Sequence, residues 1–207
     1  MLASLLRIIL LTATLKILER GLDKGPIIMI EPIDENKVNE YLEDNKKRIG
    51  DSFSSTQPET VEIKEIIGGK NIDFPDQDGV INSYMPTYGR YCSEDKVIKI
   101  NTEAIAKKLE DMKNSLCHQH KDLSPNSITS LYKFVDLILL HEYVHAYQNQ
   151  IEGKKMEKNN YELEVEADEI SKRIFMEDYK GTLDEITKML LDTFEEHHEY
   201  LQNVIKK

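Results

Sequence analysis

His141-Glu142-Tyr143-Val144-His145 sets two imidazoles four residues apart, with a carboxylate beside the first. On a helix, residues at that spacing project from one face. Two rings held that way can grip one metal ion, and Glu142 can reach a water beside it and act as general base. The preceding residues, Leu131 to Leu140, are strongly apolar, so the motif is expected inside a buried helix. Polar groups buried there need partners, and a metal would supply one.

A catalytic zinc takes three protein ligands and keeps one position open. The next acidic run, Tyr161 to Ser171, offers Glu162, Glu164 and Glu166. Helical geometry separates them: Glu164, Ala167, Asp168 and Ser171 share one face, while Glu166 lies about 200° round the helix from Glu164. Ala167 is small enough to let two helices approach closely. Glu164 is the favoured third ligand and Glu166 the second choice. Asp168, one turn beyond Glu164, could accept the free N–H of a ligating histidine. Acidic runs usually mark a solvated face, and that is the reading for Glu162, Glu166 and Glu169.

HEYVH, a short loop and Glu164-Val-Glu-Ala-Asp168 together resemble the HExxH…ExxA(D/N) signature of gluzincin metallopeptidases, in particular the HtpX-like and ImmA/IrrE-like groups. The resemblance covers residues 125–176. It implies a zincin-like fold of the minimal gluzincin kind and one Zn2+ per chain held by His141, His145 and Glu164. It further implies Glu142 as catalytic base, Asp168 as the acidic position after the alanine, and a protein or peptide substrate. In such proteins an edge strand lies above the metal helix and pairs with substrate backbone. Tyr91 and the run Val97, Ile98, Lys99, Ile100 correspond to that strand, with main-chain hydrogen bonds as the source of affinity. The oxyanion donor is open among Arg90, Tyr91, Tyr161 and His197.

These residues must be positioned by elements legible in the remaining pattern. Ser124-Pro125 predicts the start of the motif helix and Gly153 its stop, a span of roughly 125–151. Leu163, Ala167, Ile170 and Ile174 stripe the following helix, with Asn159 or Asn160 as its cap. Upstream, Asp34 caps a helix carrying Val38, Tyr41, Leu42 and Ile49 that ends at Gly50, and 51–60 reads as a polar loop, linker or flap. Pro26 to Glu31 is β-like. Val61 to Ile67 reads as a strand, Gly68-Gly69 as a hairpin signal with Ile72 to Phe74 as partner, Gly79 to Met85 as a further strand, and Val97 to Ile100 as a fourth after the Ser93-Glu94-Asp95 turn. Asn101 or Thr102 opens a helix with Ile105, Leu109, Met112 and Leu116. A capping box, Thr182-Leu-Asp-Glu185, opens the last, with Ile186, Met189, Leu190, Phe194, Leu201 and Val204. Helices, a small antiparallel or mixed sheet and a helical C-terminal half make an α+β pattern, with the sheet packed on the motif helix.

At 207 residues and 40% hydrophobic content the chain suits one domain, 26–207, after an apolar N-terminal segment, 1–25. The net charge of −11 is a poor footing for nucleic-acid binding, which depends on neutralising phosphates. Within 2–18 the apolar run carries Arg7 and Lys16 and is of borderline length for a bilayer. Three readings stand for it: a membrane anchor, an amphipathic surface helix, or a helix completing the core. The expected location is accordingly cytoplasmic or membrane-associated. Cys92 and Cys117 suggest no disulfide framework, and Cys117-His118-Gln119-His120 lacks a second pair at finger spacing. Two other classes of function compete with hydrolysis. One is a non-catalytic metal-binding or regulatory zincin-like domain. The other is a membrane-associated interaction protein whose histidines never converge.

Overall fold

The computed structural model describes residues 31–69, 88–118, 123–154, 161–179 and 184–205, the side chains at 194, 196–198 and 200–205 excepted. The expected strands at 26–31, 72–74 and 79–85, and the apolar run 2–18, lie at least in large part outside them. The chain divides into two units, Met1–Pro32 and Ile33–Lys207, and the second holds every element below. Its described residues form a mixed α+β arrangement that is mostly helical: α1 (Glu35–Thr56), β1 (Glu65–Gly69), β2 (Gly89–Cys92), β3 (Val97–Asn101), α2 (Thr102–His118), α3 (Pro125–Leu131), α4 (Lys133–Gln150), α5 (Tyr161–Asp178) and α6 (Glu185–Ile205).

Asp34 caps α1 by accepting the Lys37 N–H at 3.0 Å, satisfying one of the first-turn donors a helix leaves open. Val38, Leu42, Ile49 and Phe53 form its buried stripe. The expected stop at Gly50 and the polar loop from 51 are corrected here: the helix runs six residues further, to Thr56. Phe53 supplies the reason, since its ring stacks on Tyr143 at 5.3 Å and meets Tyr147 edge-on at 6.5 Å. Packing of that ring outweighs the poor helix propensity of the serines around it. The Ser55 and Thr56 hydroxyls donate to the Ser52 and Phe53 carbonyls, serving acceptors that the last turn would leave open.

The three strands lie in the order β1-β3-β2. β1 runs parallel to β3, and β2 antiparallel to it. Two expectations change. Gly68-Gly69 is no hairpin turn: both residues are in β1, opposite Ile100 and Asn101. A Cβ at Gly68 would lie 3.0 Å from Leu42 Cδ2 and 3.1 Å from Thr102 Cγ2, so glycine serves close packing of the strand. The strand expected over Val61 to Ile67 begins at Glu65. The Ser93 to Lys96 turn joins β2 to β3 as read.

Asn101 Oδ1 accepts the Ala104 N–H at 3.0 Å and so caps α2, whose Ile105, Leu109, Met112 and Leu116 are buried. The single helix expected over 125–151 is two. Ser124 caps α3, and at Tyr132 the chain tightens for a residue, with the Tyr132 N–H reaching the Thr129 carbonyl at 3.2 Å. The Tyr132 ring stacks on Tyr41 of α1 there, at 5.3 Å. α4 then runs through the core: Phe134 to Ala146 are all buried, the mark of a helix enclosed on every side. It packs on α1, α5, β2 and β3, and α5 packs in turn on α6. α6 opens on Asp184, which accepts the Thr187 N–H at 2.7 Å. The cap is Asp184, and Thr182 lies outside the described residues. Among the described residues no helix is long and apolar enough to cross a membrane.

Candidate metal centre

α4 and α5 bring His141, His145 and Glu164 together. His141 Nε2 and His145 Nε2 are 2.9 Å apart, and Glu164 Oε2 stands 3.1 Å from the first and 3.3 Å from the second. The approach is close because Ala167, fully buried one turn after Glu164 with Ser171 beyond it, puts little bulk between the helices.

The neighbours of the two rings fix where their protons sit. Gln148, three residues beyond His145, donates through Nε2 to the Leu163 carbonyl at 3.0 Å and to Glu166 Oε2 at 2.9 Å. Both are acceptors, so the amide nitrogen must face them and Oε1 must face His145 Nδ1, at 2.9 Å. An amide oxygen only accepts; His145 therefore carries a proton on Nδ1, and its neutral ring keeps the lone pair on Nε2. On His141, Nδ1 is 2.9 Å from Asp168 Oδ1, which is 3% exposed, a carboxylate that favours a proton on that nitrogen. In their neutral forms the two rings thus present two nitrogen lone pairs to the point that the Glu164 carboxylate oxygen also faces. That arrangement calls for positive charge at its centre.

The electrostatics carry the same sign. Burial alone would make His141 less basic, yet the Asp168 and Glu164 carboxylates outweigh it and hold its pKa well above the ordinary imidazole value. Burial likewise pushes Glu164 up, and the two imidazoles reverse this and hold it well below the usual carboxylate range. A tetrahedral cation with bonds of about 2.0–2.2 Å sets its ligand atoms about 3.3–3.5 Å apart. The observed separations of 2.9, 3.1 and 3.3 Å lie at or below that spacing and within hydrogen-bond distance of one another. The three residues could hold a metal ion, and they are the one such group among the described residues. Both histidines are buried while Glu164 is 40% exposed, so the donors reach solvent along the Glu164 side.

Glu142 is 4% exposed. Burial raises its pKa, opposed by His145 and His141 and by the Tyr91 backbone N–H, which donates to its carboxylate. Among the described residues its Oε2 meets no hydrogen-bond partner. β2 lies directly against it: a Cβ at Gly89 would stand 2.6 Å from Glu142 Oε1 and 2.8 Å from its Cγ. Only glycine lets the strand come this near.

The remaining candidates divide. Glu166 is turned to Gln148 and Lys154, whose Nζ is 2.6 Å away, and is not among the converging donors. The substrate-strand assignment of Val97, Ile98, Lys99 and Ile100 is corrected: β3 is the central strand, bonded to β1 on one side and β2 on the other, so its main chain has no edge to offer. Tyr91 stands in β2, which among the described residues is bonded on one side. Its ring is buried and its hydroxyl accepts from Gln150 Nε2 at 2.8 Å. Arg90 lies on the opposite, exposed face of β2. Tyr161 begins α5, and the His197 side chain is outside the described residues. Cys92 and Cys117 are free.

Sequence reading missed two participants. Gln148 was available as the residue one turn past the second histidine, a place where a polar side chain in an apolar helix demands a partner. The contact of Gly89 and Tyr91 with Glu142 had no local signal, because it joins segments about fifty residues apart. No family model, no curated protein and no solved structure matches the chain.

Proposed function

We propose that this chain is a metal-dependent hydrolase of peptide bonds, with zinc as the resident ion and a protein or peptide as substrate. The observation that carries the reading is the convergence of two imidazole nitrogens and a carboxylate oxygen, each imidazole backed by an acceptor from a neighbouring side chain, beside a buried carboxylate with an oxygen that has no partner among the described residues. His141, His145 and Glu164 would hold the ion, which when bound acidifies a water and polarises a carbonyl. Glu142 takes the proton of the attacking water at its carboxylate and returns it to the departing amine. Its burial, which raises its pKa, suits a group that must both accept and release a proton near neutral pH. Asp168 and Gln148 orient the two rings.

The finer reading of the fold, a zincin-like domain of the gluzincin kind, rests on the same residues and on the sheet packed against α4. An ion held only for structure would need no base, and the buried, unpaired Oε2 of Glu142 favours hydrolysis over a purely regulatory metal domain. The interaction-protein alternative requires histidines that do not meet, and here they do.

The test has two parts. Purified protein is expected to carry about one zinc per chain, measured by atomic emission. Glu142→Gln is expected to keep that zinc while losing cleavage of an unbiased peptide library, read by mass spectrometry. A wild-type chain without affinity for zinc, its three ligands intact, would sink the proposal.

A further inference from the structure

Gln148 is completely buried and its amide is fully engaged. Oε1 accepts from His145 Nδ1 at 2.9 Å, and Nε2 donates both to the Leu163 carbonyl at 3.0 Å and to Glu166 Oε2 at 2.9 Å. The first bond acts on a ligand of the metal centre. The second grips the peptide immediately before Glu164, another ligand on a different helix. The third ends on a carboxylate that Lys154 also holds, while the Lys154 backbone N–H donates to the Gln148 carbonyl at 2.9 Å. One side chain therefore touches the supports of two of the three donors at once.

We infer that Gln148 is the positioning residue of the metal centre: it locks the His145 tautomer and pins the first turn of α5 so that Glu164 meets the same point. The inference rests on the metal reading above and goes beyond it by naming the residue that couples the two helices.

The chemistry required of position 148 is narrow. It must offer an acceptor to an imidazole N–H and two donors to oxygens from one planar group. Glutamate keeps the acceptor, loses both donors, and sets a second carboxylate against Glu166. Methionine keeps the length and loses everything polar. The His145 ring is then free to carry its proton on Nε2, which removes the lone pair from the centre. Partners of this kind, behind a metal ligand, are typically worth about 10–100-fold in affinity.

The experiment uses the full chain and zinc(II), with affinity measured by competition against a chromophoric chelator. Cobalt(II) absorption spectra report ligand geometry, and circular dichroism and thermal unfolding of the metal-free proteins report folding. Gln148→Met is expected to bind zinc about 10–100-fold more weakly and to alter the cobalt spectrum while keeping its helical signal. Gln148→Glu is expected to weaken binding too. Adding Glu166→Gln exchanges amide for carboxylate across one of the two hydrogen bonds and should restore the part of the loss that comes from the facing carboxylates, the donor to the Leu163 carbonyl staying lost; simple damage to packing would give no such rescue. Should the methionine variant fail to fold, the glutamate single and double variants decide alone. Wild-type affinity and an unchanged cobalt spectrum in Gln148→Met, or in Gln148→Glu, would overturn the inference. So would loss in Gln148→Glu without recovery in the double variant. If the wild-type chain itself binds no zinc, the metal reading falls. If it binds and the Gln148 variants bind equally, the inference about Gln148 alone falls.

Discussion

Around Glu142 the tolerances are set by single atoms. Its carboxylate is touched by a strand backbone and lies within electrostatic reach of the two imidazoles, and the absent side chain of Gly89 is what leaves it room. Gly89→Ala forces either the strand or the carboxylate to move. Overpacking of this kind costs about 1–3 kcal/mol, and the group most easily displaced is Glu142. Zinc content should stay at the wild-type value, since His141, His145 and Glu164 are untouched. Peptide-library cleavage should fall well beyond what the lowered thermal midpoint explains. A variant with normal cleavage would show that Glu142 needs no support from β2. His141, His145 and Glu164 were legible at this scale as candidates because i,i+4 spacing and one helical face are local properties. Gln148 was not singled out, because a glutamine in a helix has many uses until its partner on another helix is known.

Among the elements, α1, α4 and the end of α5 are fastened by a buried charge in the first turn of α4, ahead of the histidines. Asp136, 1% exposed, lies 2.5 Å from Arg48 Nη2 and accepts from the Tyr179 hydroxyl, while Arg48 Nη1 reaches Asp178 at 2.8 Å. Burial raises the pKa of Asp136 above its ordinary 3.8, and the Arg48 guanidinium opposes that rise. Replacing Arg48 by Met leaves the carboxylate buried without its cation. The expected cost at neutral pH is about 2–3 kcal/mol, below the ~3–5 for a wholly enclosed pair because Arg48 is 41% exposed. The folded-state pKa of Asp136 lies above its unfolded value and rises further in the variant. The deficit is therefore full above that raised pKa and shrinks as pH falls through it and the carboxyl takes up a proton. Urea unfolding of both proteins at neutral pH and at about pH 4.5 checks it; an equal deficit at the two would contradict the assignment. Element boundaries followed the same division. Asp34, Asn101 and Ser124 are local caps and mark their helices as read. The extension of α1 past Gly50 depends on Phe53 meeting Tyr143, a long-range contact that turn-forming residues give no hint of.

For the molecule as a whole, the proposed ion is also a fastener between α4 and α5. A ligand that binds only the folded state at about a thousand times its Kd adds roughly 4 kcal/mol. For a domain of this size that amounts to about 10 °C in the thermal midpoint. Chelation of purified protein should lower the midpoint by that order and restoration of zinc should recover it, whereas His145→Ala protein should not respond to either treatment. An unchanged midpoint on chelation would mean that the ion, if bound, does not join the two helices.

The order of residues was enough to indicate the α+β class, the starts of the helices with local caps, and the pattern of two histidines, a neighbouring carboxylate and a later glutamate on one helical face. Those are consequences of spacing along a regular backbone, which repeats whatever surrounds it. Tertiary structure alone decided that β3 is central and so has no free edge, that Gly68 and Gly89 serve close packing, and that Gln148 stands behind His145 with its amide turned by α5. Each of these depends on which distant segment arrives opposite, and hydrogen-bond direction and steric room exist only once it has.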